Sequence, residues 1–331
     1  MNSGVAVMND KLAPVVMVGY SRAWTLRKSL KNLSECHGLG DRDIYFFQDA
    51  PYRDEDVPKV EAMHQVAVEA KNTILPRLII VRREKNLGVP GNLLAAVRET
   101  MDRYGRIIFF EDDVMVSKTF VQYMDEGLKV YEKDPRIFCV NGYVNSPYLI
   151  PSWYKKDVYL NPRNSAWGWA SWKDRWDKVD FEIKNWESLK KDREFLAKLH
   201  GAGCELYDTA EGVVTGRVRT WDVQCTICMV MNGLYAVDPR YNLTRNIGFG
   251  SEGVNCRGEN VSIRTKYYNF RPRCEPNLEI IPELLRQFPY SSGEDRIWVR
   301  LLNRLKRPFR KKLPSAFEEP IDLPNQDTSG V

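Results

Sequence analysis

Residues 106–116 read Arg-Ile-Ile-Phe-Phe-Glu-Asp-Asp-Val-Met-Val, an apolar run that ends in three consecutive carboxylates, Glu111, Asp112 and Asp113. The apolar residues from Ile107 to Phe110 are continuous rather than alternating, which predicts a strand buried on both faces. Three like charges at the end of such a strand do not serve stability, because a buried ion without a partner costs several kcal/mol. A cation is therefore expected beside them. A hard divalent metal that also carries a phosphorylated ligand suits oxygen donors of this kind. The alternative is a strand that surfaces into a solvated acidic turn.

The elements around this run alternate. Val15–Gly19 reads as a buried strand, and residues 22–33 as an amphipathic helix with Leu26, Leu30 and Leu33 on one face. A strand over 43–48, a helix over 59–70 and a strand over 77–81 follow. Next come a turn at Asn86-Leu87-Gly88, a helix from about Gly91 to Tyr104, the strand into the carboxylates, a helix over 117–133 and a strand over 137–141. Strands alternating with helices of this length imply an α/β fold with a mostly parallel sheet. Such sheets bind ligands beyond the carboxyl ends of their strands. Arg22, Asp49, Gly88 and Glu111 to Asp113 all follow predicted strands, so they are expected to share one rim. The second half differs, being rich in Trp (Trp153, Trp167, Trp169, Trp172, Trp176, Trp186 and Trp221) and in loops.

Several segments, taken in order, resemble the GT-A-fold glycosyltransferases of the N-acetylglucosaminyltransferase I type (glycosyltransferase family 13 and its bacterial relatives). Val15 to Leu30 is similar to the family's first nucleotide-binding strand and helix, and Phe46-Phe-Gln-Asp49 to its second strand. Phe109-Phe-Glu-Asp-Asp-Val114 is similar to the Glu-Asp-Asp form of the DxD motif, and residues 134–140 to the strand after it. Ala166-Trp-Gly-Trp-Ala170, Trp221-Asp222 and the block 239–258 match later segments, so the resemblance covers roughly residues 14–260. It implies a GT-A fold: a Rossmann-like, mostly parallel sheet flanked by helices, with a nucleotide-sugar-binding half (13–145) and a Trp-rich acceptor-binding and catalytic half (146–275).

The resemblance also implies roles. Asp113 would ligate Mn²⁺ or Mg²⁺, while Glu111 and Asp112 would contact the sugar and ribose of a nucleotide-sugar donor. Asp49 would accept from the base, and Arg22 would pair with phosphate or base edges, for which its planar fork is suited. Gly88 stands where Golgi members carry a base-contacting His, so backbone groups would replace the imidazole. A uracil nucleotide remains the expectation, most of all UDP-GlcNAc, with another UDP-hexose as the alternative. Asp222 would be the general base of an inverting transfer to a glycan hydroxyl. An N-cap role is its structural alternative, and Asp208, Glu211 and Glu252 are competing carboxylates. Trp167, Gly168 and Trp169 would form a platform for a pyranose face, or belong to the core. The Gly-rich loop 245–255 would close over the donor, with Asn255 at the diphosphate.

The chain has 331 residues, 43% of them hydrophobic and 28% charged, an ordinary globular composition. No apolar stretch approaches the roughly 20 residues that cross a bilayer, and the first residues lack the pattern of a secretory signal. The seven cysteines are odd in number and form no framework, which fits a reducing cytoplasmic setting. Cys225-x-x-Cys228 falls in a predicted helix with no second pair at zinc-finger spacing. The net charge of +5 is local, since residues 296–312 hold eight Lys/Arg and no acids. That distribution excludes a nucleic-acid-coating surface. Ile297, Trp298, Leu301, Leu302, Leu305 and Phe309 fall at helical spacing between those basic residues. The segment reads either as a helix that lies on an anionic membrane or as one docked on the fold with its arginines in water. On the membrane reading the enzyme is peripheral at the inner face of the cytoplasmic membrane, and the acceptor is lipid-linked. Residues 1–12 and 313–331 read as disordered, and 276–312 as C-terminal helices.

Two rival classes remain at the level of sequence. A metal-dependent nucleotidyltransferase would need a Gly-rich triphosphate loop near the N-terminus, for which Gly19-Tyr-Ser-Arg22 is a poor candidate. A non-catalytic carbohydrate-binding protein would need the Trp residues but neither Glu111 to Asp113 nor Asp222.

Overall fold

The computed structural model describes residues 12–144, 150–151, 153–248, 267–285 and 321–322. The first half runs β1 (Val15–Gly19), α1 (Ala23–Ser34), β2 (Ile44–Gln48), α2 (Val57–Thr73), β3 (Leu78–Arg82), α3 (Gly88–Tyr104), β4 (Arg106–Glu111), β5 (Val114–Val116), α4 (Phe120–Val130) and β6 (Ile137–Asn141). The second half continues with β7 (Val158–Asn161), β8 (Trp169–Trp172), α5 (Lys173–Trp176), α6 (Trp186–Leu189), α7 (Arg193–Ala202), α8 (Leu206–Val214), α9 (Asp222–Asn232), β9 (Tyr235–Pro239) and β10 (Thr244–Asn246).

Eight strands form one sheet in the order β3-β2-β1-β4-β8-β6-β9-β7. β1 pairs in parallel with β2 and β4, β2 with β3, and β6 with β9. β8 is antiparallel to both β4 and β6, and β7 is antiparallel to β9. The expected mostly parallel α/β sheet flanked by helices is therefore present. Strands from both halves of the chain build it, and β8 from the Trp-rich half lies at its centre.

Alternate residues of each central strand feed the two faces, which is why the runs are apolar throughout. Met17, Ile108 and Phe110 pack with Leu26, Leu30 and Leu33 of α1 and Met63 of α2 on one face. Val16, Val18, Ile107 and Phe109 pack with Leu93 and Val97 of α3 and Cys225 of α9 on the other. Helix bounds differ modestly from expectation. α3 begins at Gly88, and α4 covers only Phe120–Val130 because Ser117 is held in the approach by the carbonyl of Leu243. Beyond the main sheet, β5 pairs antiparallel with β10, with Val114 opposite Asn246. That small ladder brings residues 244–248 against the carboxylate run.

Candidate functional site

β1 and β4 are parallel neighbours, so the segments that leave their carboxyl ends emerge side by side. Arg22 leaves β1 and the carboxylates leave β4. The guanidinium of Arg22 donates to Asp113 Oδ2 at 2.8 Å and Asp112 Oδ1 at 3.2 Å. Thr25 Oγ1 of α1 donates to Asp112 Oδ2 at 3.0 Å, and Ser29 Oγ to the Asp112 carbonyl at 2.9 Å. From β10, Asn246 Nδ2 donates to Asp113 Oδ1 at 3.2 Å, and the Ile247 N–H to the Asp113 carbonyl at 2.8 Å. Gly248 completes the cradle, since a Cβ there would lie 2.0 Å from Asp113 Oδ2 and 2.5 Å from Arg22 Nη1. Only a glycine leaves room for this contact.

These groups open on a cleft of about 300 Å³. Arg22, Glu111, Asp113, Asn246 and Gly248 line it together with Arg163 to Trp167, Thr220, Trp221 and Asp222. Asp222 is the first residue of α9. Trp221 holds the N-cap position and makes no side-chain cap bond. The N-cap alternative for Asp222 is therefore corrected: its carboxylate accepts from the Thr220 hydroxyl and faces the cleft. Among the described residues the only other carboxylates lining that space are Glu111 and Asp113. Of the competing carboxylates, Glu211 is bound to the Trp186 indole and Asp208 is exposed on α8, both away from the cleft.

Other expected site residues separate. Trp167 lines the cleft with its ring edge-on to Tyr143 at 4.5 Å. Trp169 does not: it is 1% exposed, stacked at 5.1 Å from both Phe109 and Trp176. Its expected platform role is corrected to a core one, because β8 runs through the middle of the sheet. Gly168 has φ +90°, and a Cβ there would press on Phe120 and Thr244, so it turns the chain from cleft to core and offers no open surface. Asp112, expected at the ribose, is 5% exposed, is turned toward Arg22 and Thr25, and does not line the cleft. Asp49 is likewise buried, and its Oδ1 accepts from the N–H groups of Ala50 and Leu87 at 3.0 and 2.9 Å. It thereby pins the 86–89 turn, whose Gly88 has φ +71° and whose Val89 reaches the cleft. Asn255 and the basic segment 296–312 lie outside the described residues, as do residues 249–254 of the Gly-rich loop.

Sequence reasoning missed Asn246 and Gly248 as functional positions, along with the contribution of Trp221. The Trp221 indole hydrogen-bonds Glu111 and so links the carboxylate run to the helix that carries Asp222. The glycine-rich stretch was a signal for Gly248. Asn246 had none, because its role depends on the long-range β5–β10 pairing.

The electrostatics show a surplus of negative charge. Burial, then the Asp113 and Asp112 charges, pushes the Glu111 carboxyl well above the usual range, against Arg22 and the Trp221 indole. Burial also raises Asp112, and Arg22 offsets only part of that rise. Burial acts to lower the Arg22 pKa, but Asp112 and Asp113 raise it overall. Three carboxylates thus share one guanidinium. An all-oxygen set of this kind fits Mn²⁺ or Mg²⁺, which binds one or two carboxylates and completes its shell with water and substrate phosphates. No group of three or more His, Cys, Asp or Glu among the described residues could hold an ion without such help.

No protein-family model and no curated protein matches the chain. Among solved structures it is similar to S. aureus TarS (residues 1–349), at 13% identity over 51% of this chain and 50% of that one, with a TM-score of 0.36. It covers 20% and 34% of two other TarS chains. The mannosyltransferase PcManGT from Pyrobaculum calidifontis, in complex with GDP-Man and Mn²⁺, matches at 11% identity over 66% of this chain and 68% of that one, TM-score 0.39. The galactosyltransferase LgtC, in complex with donor and acceptor sugar analogs, matches at 9% identity over 67% and 72%, TM-score 0.34. These likenesses are loose. No helix among the described residues is long and apolar enough to cross a membrane.

Proposed function

We propose that the chain is a GT-A-type inverting glycosyltransferase that moves a sugar, GlcNAc from UDP-GlcNAc, to a hydroxyl of a glycan acceptor. The carrying observation is that Glu111, Asp113 and Asp222 line one and the same cleft. Such a cleft can hold a donor and an acceptor hydroxyl beside a carboxylate base. The acceptor hydroxyl attacks the anomeric carbon while Asp222 takes its proton. The bond from that carbon to the diphosphate breaks, and the nucleoside diphosphate departs on the side of Asp113.

A divalent ion held by Asp113 and the donor phosphates would act there as a Lewis acid toward the departing diphosphate. Asn246 and Gly248 fix the Asp113 carboxylate, Asp112 and Thr25 fix Arg22, and Arg22 meets the phosphates. Glu111 faces the sugar. Trp167 supplies the aromatic surface for a pyranose ring. Asp49 and the 86–89 turn bound the base end. Residues 296–312 support an acceptor that is lipid-linked and met at the anionic inner face of the cytoplasmic membrane.

The test is nucleoside diphosphate release from a panel of UDP-sugars with Mn²⁺, Mg²⁺ or chelator. UDP-GlcNAc turned over fastest, and only with metal, supports the reading. Fastest turnover of another UDP-hexose transfers the reading to that donor. Flotation with anionic liposomes, with and without residues 294–331, tests the membrane part, and undiminished binding after truncation ends it.

A further inference from the structure

We infer that Asp238 is a positioning residue that fixes, through the side-chain amides of Asn141 and Asn161, the wall of the cleft formed by residues 163–167. Asp238 lies in β9, is 0% exposed, and does not line the cleft. Its donors are Asn141 Nδ2 at 2.7 Å, Asn161 Nδ2 at 2.5 Å and the Tyr159 hydroxyl at 3.4 Å. Burial pushes its carboxyl up to about 7 against those three bonds. A carboxylate kept in such a place without a cation is costly unless its acceptor capacity is used.

Here three donors use it, and two of them reach on to the wall. With both Asn NH₂ groups turned to Asp238, both amide oxygens face the wall. Asn141 Oδ1 accepts from the Ser165 N–H at 3.1 Å, and Asn161 Oδ1 from the Arg163 N–H at 3.0 Å. Asn141 Nδ2 also reaches the Arg163 carbonyl at 3.3 Å. An ionised carboxylate has only acceptors, whereas an amide carries both an acceptor and a donor end. Asp238 therefore orients two amides at once, on strands β6 and β7, and each amide then holds one backbone N–H of the wall. Replacing it by Asn puts an NH₂ against an Asn NH₂. One amide must then turn, and it loses its wall contact. Asn164, Ser165, Ala166 and Trp167, which line the same cleft as Glu111 and Asp113, follow that backbone.

The inference rests on the proposed function only in taking that cleft as the substrate site. The test compares full-length wild type, Asp238→Asn and Asn161→Ala by hydrogen exchange and mass spectrometry, beside UDP-GlcNAc hydrolysis. Both variants are expected to exchange the 163–167 amides about tenfold faster, with β1 and β4 unchanged. In both, kcat is expected to fall about tenfold while donor KM stays within about threefold. Unchanged exchange in both variants overturns the inference, and so does faster exchange spread evenly over the sheet. If Asp238→Asn does not fold, Asn161→Ala, which keeps the carboxylate, decides by the same comparison. If the wild type releases no UDP, the proposed function fails while the exchange result still decides this one.

Discussion

The Arg22 guanidinium lies 2.8 Å from Asp113 Oδ2, closing the carboxyl end of β1 onto that of β4. The pair is partly buried, and the same guanidinium is 3.2 Å from Asp112. Removing it leaves three carboxylates without their cation. Arg22→Ala is expected to destabilise the metal-free protein by about 2–3 kcal/mol at neutral pH, below the full cost of breaking a buried pair because Arg22 is partly exposed. Denaturant unfolding at pH 5 and pH 8 checks this, with the larger loss expected at pH 8, where more of the raised Glu111 and Asp112 carboxyls have lost their protons.

Gly248→Ala places a methyl group 2.0 Å from Asp113 Oδ2. The carboxylate must move while the sheet behind it stays intact. We expect an unchanged circular dichroism spectrum and a loss of turnover of about a hundredfold, since misplacing a catalytic group by about 1 Å has effects of this size.

Asp222→Asn keeps the Thr220 contact geometry but removes the proposed base. The expected outcome is a fall in kcat of about 10²–10⁴ with nucleotide binding unchanged. Wild-type rates would remove the base assignment while leaving the donor site standing.

The two tryptophans of 167–169 separate stability from function. Trp169→Ala empties a stacked core position and is expected to cost about 3–5 kcal/mol in unfolding measurements. Trp167→Ala is expected to cost less stability and to raise the KM for acceptor.

Burial raises the carboxyls of Glu111, Asp112 and Asp238 above their unfolded values. Below the unfolded values both states are protonated. As pH rises from there, the folded state holds protons that the unfolded state has lost, so these groups contribute less stability with rising pH, up to about 7 for Asp238. His64, whose pKa burial lowers, works the other way as pH falls through its range. The check is therefore differential: metal-free Glu111→Gln is expected to show a flatter fall in Tm between about pH 5 and 8 than wild type.

What the sequence disclosed follows the range of the interactions involved. Ile107 to Phe110 was legible as a doubly buried strand because continuous apolar runs have a local cause. Leu26, Leu30 and Leu33 were legible through helical spacing. The insertion of β8 between β4 and β6 was not, since antiparallel pairing across some sixty residues leaves no local mark. That one placement moved Trp169 from the cleft to the core while Trp167, two residues earlier, stayed at the surface. Asp112 and Asp113 are adjacent, and the partners supplied by α1 and β10 give them different surroundings that no local pattern marks.

The most direct measurement is UDP release from UDP-GlcNAc by wild type and Asp113→Ala, each with Mn²⁺ and with chelator. The account predicts release by the wild type that chelator abolishes and Mn²⁺ restores, and a loss of at least about a hundredfold in the variant. Release that persists in chelator, or full activity in Asp113→Ala, would contradict it.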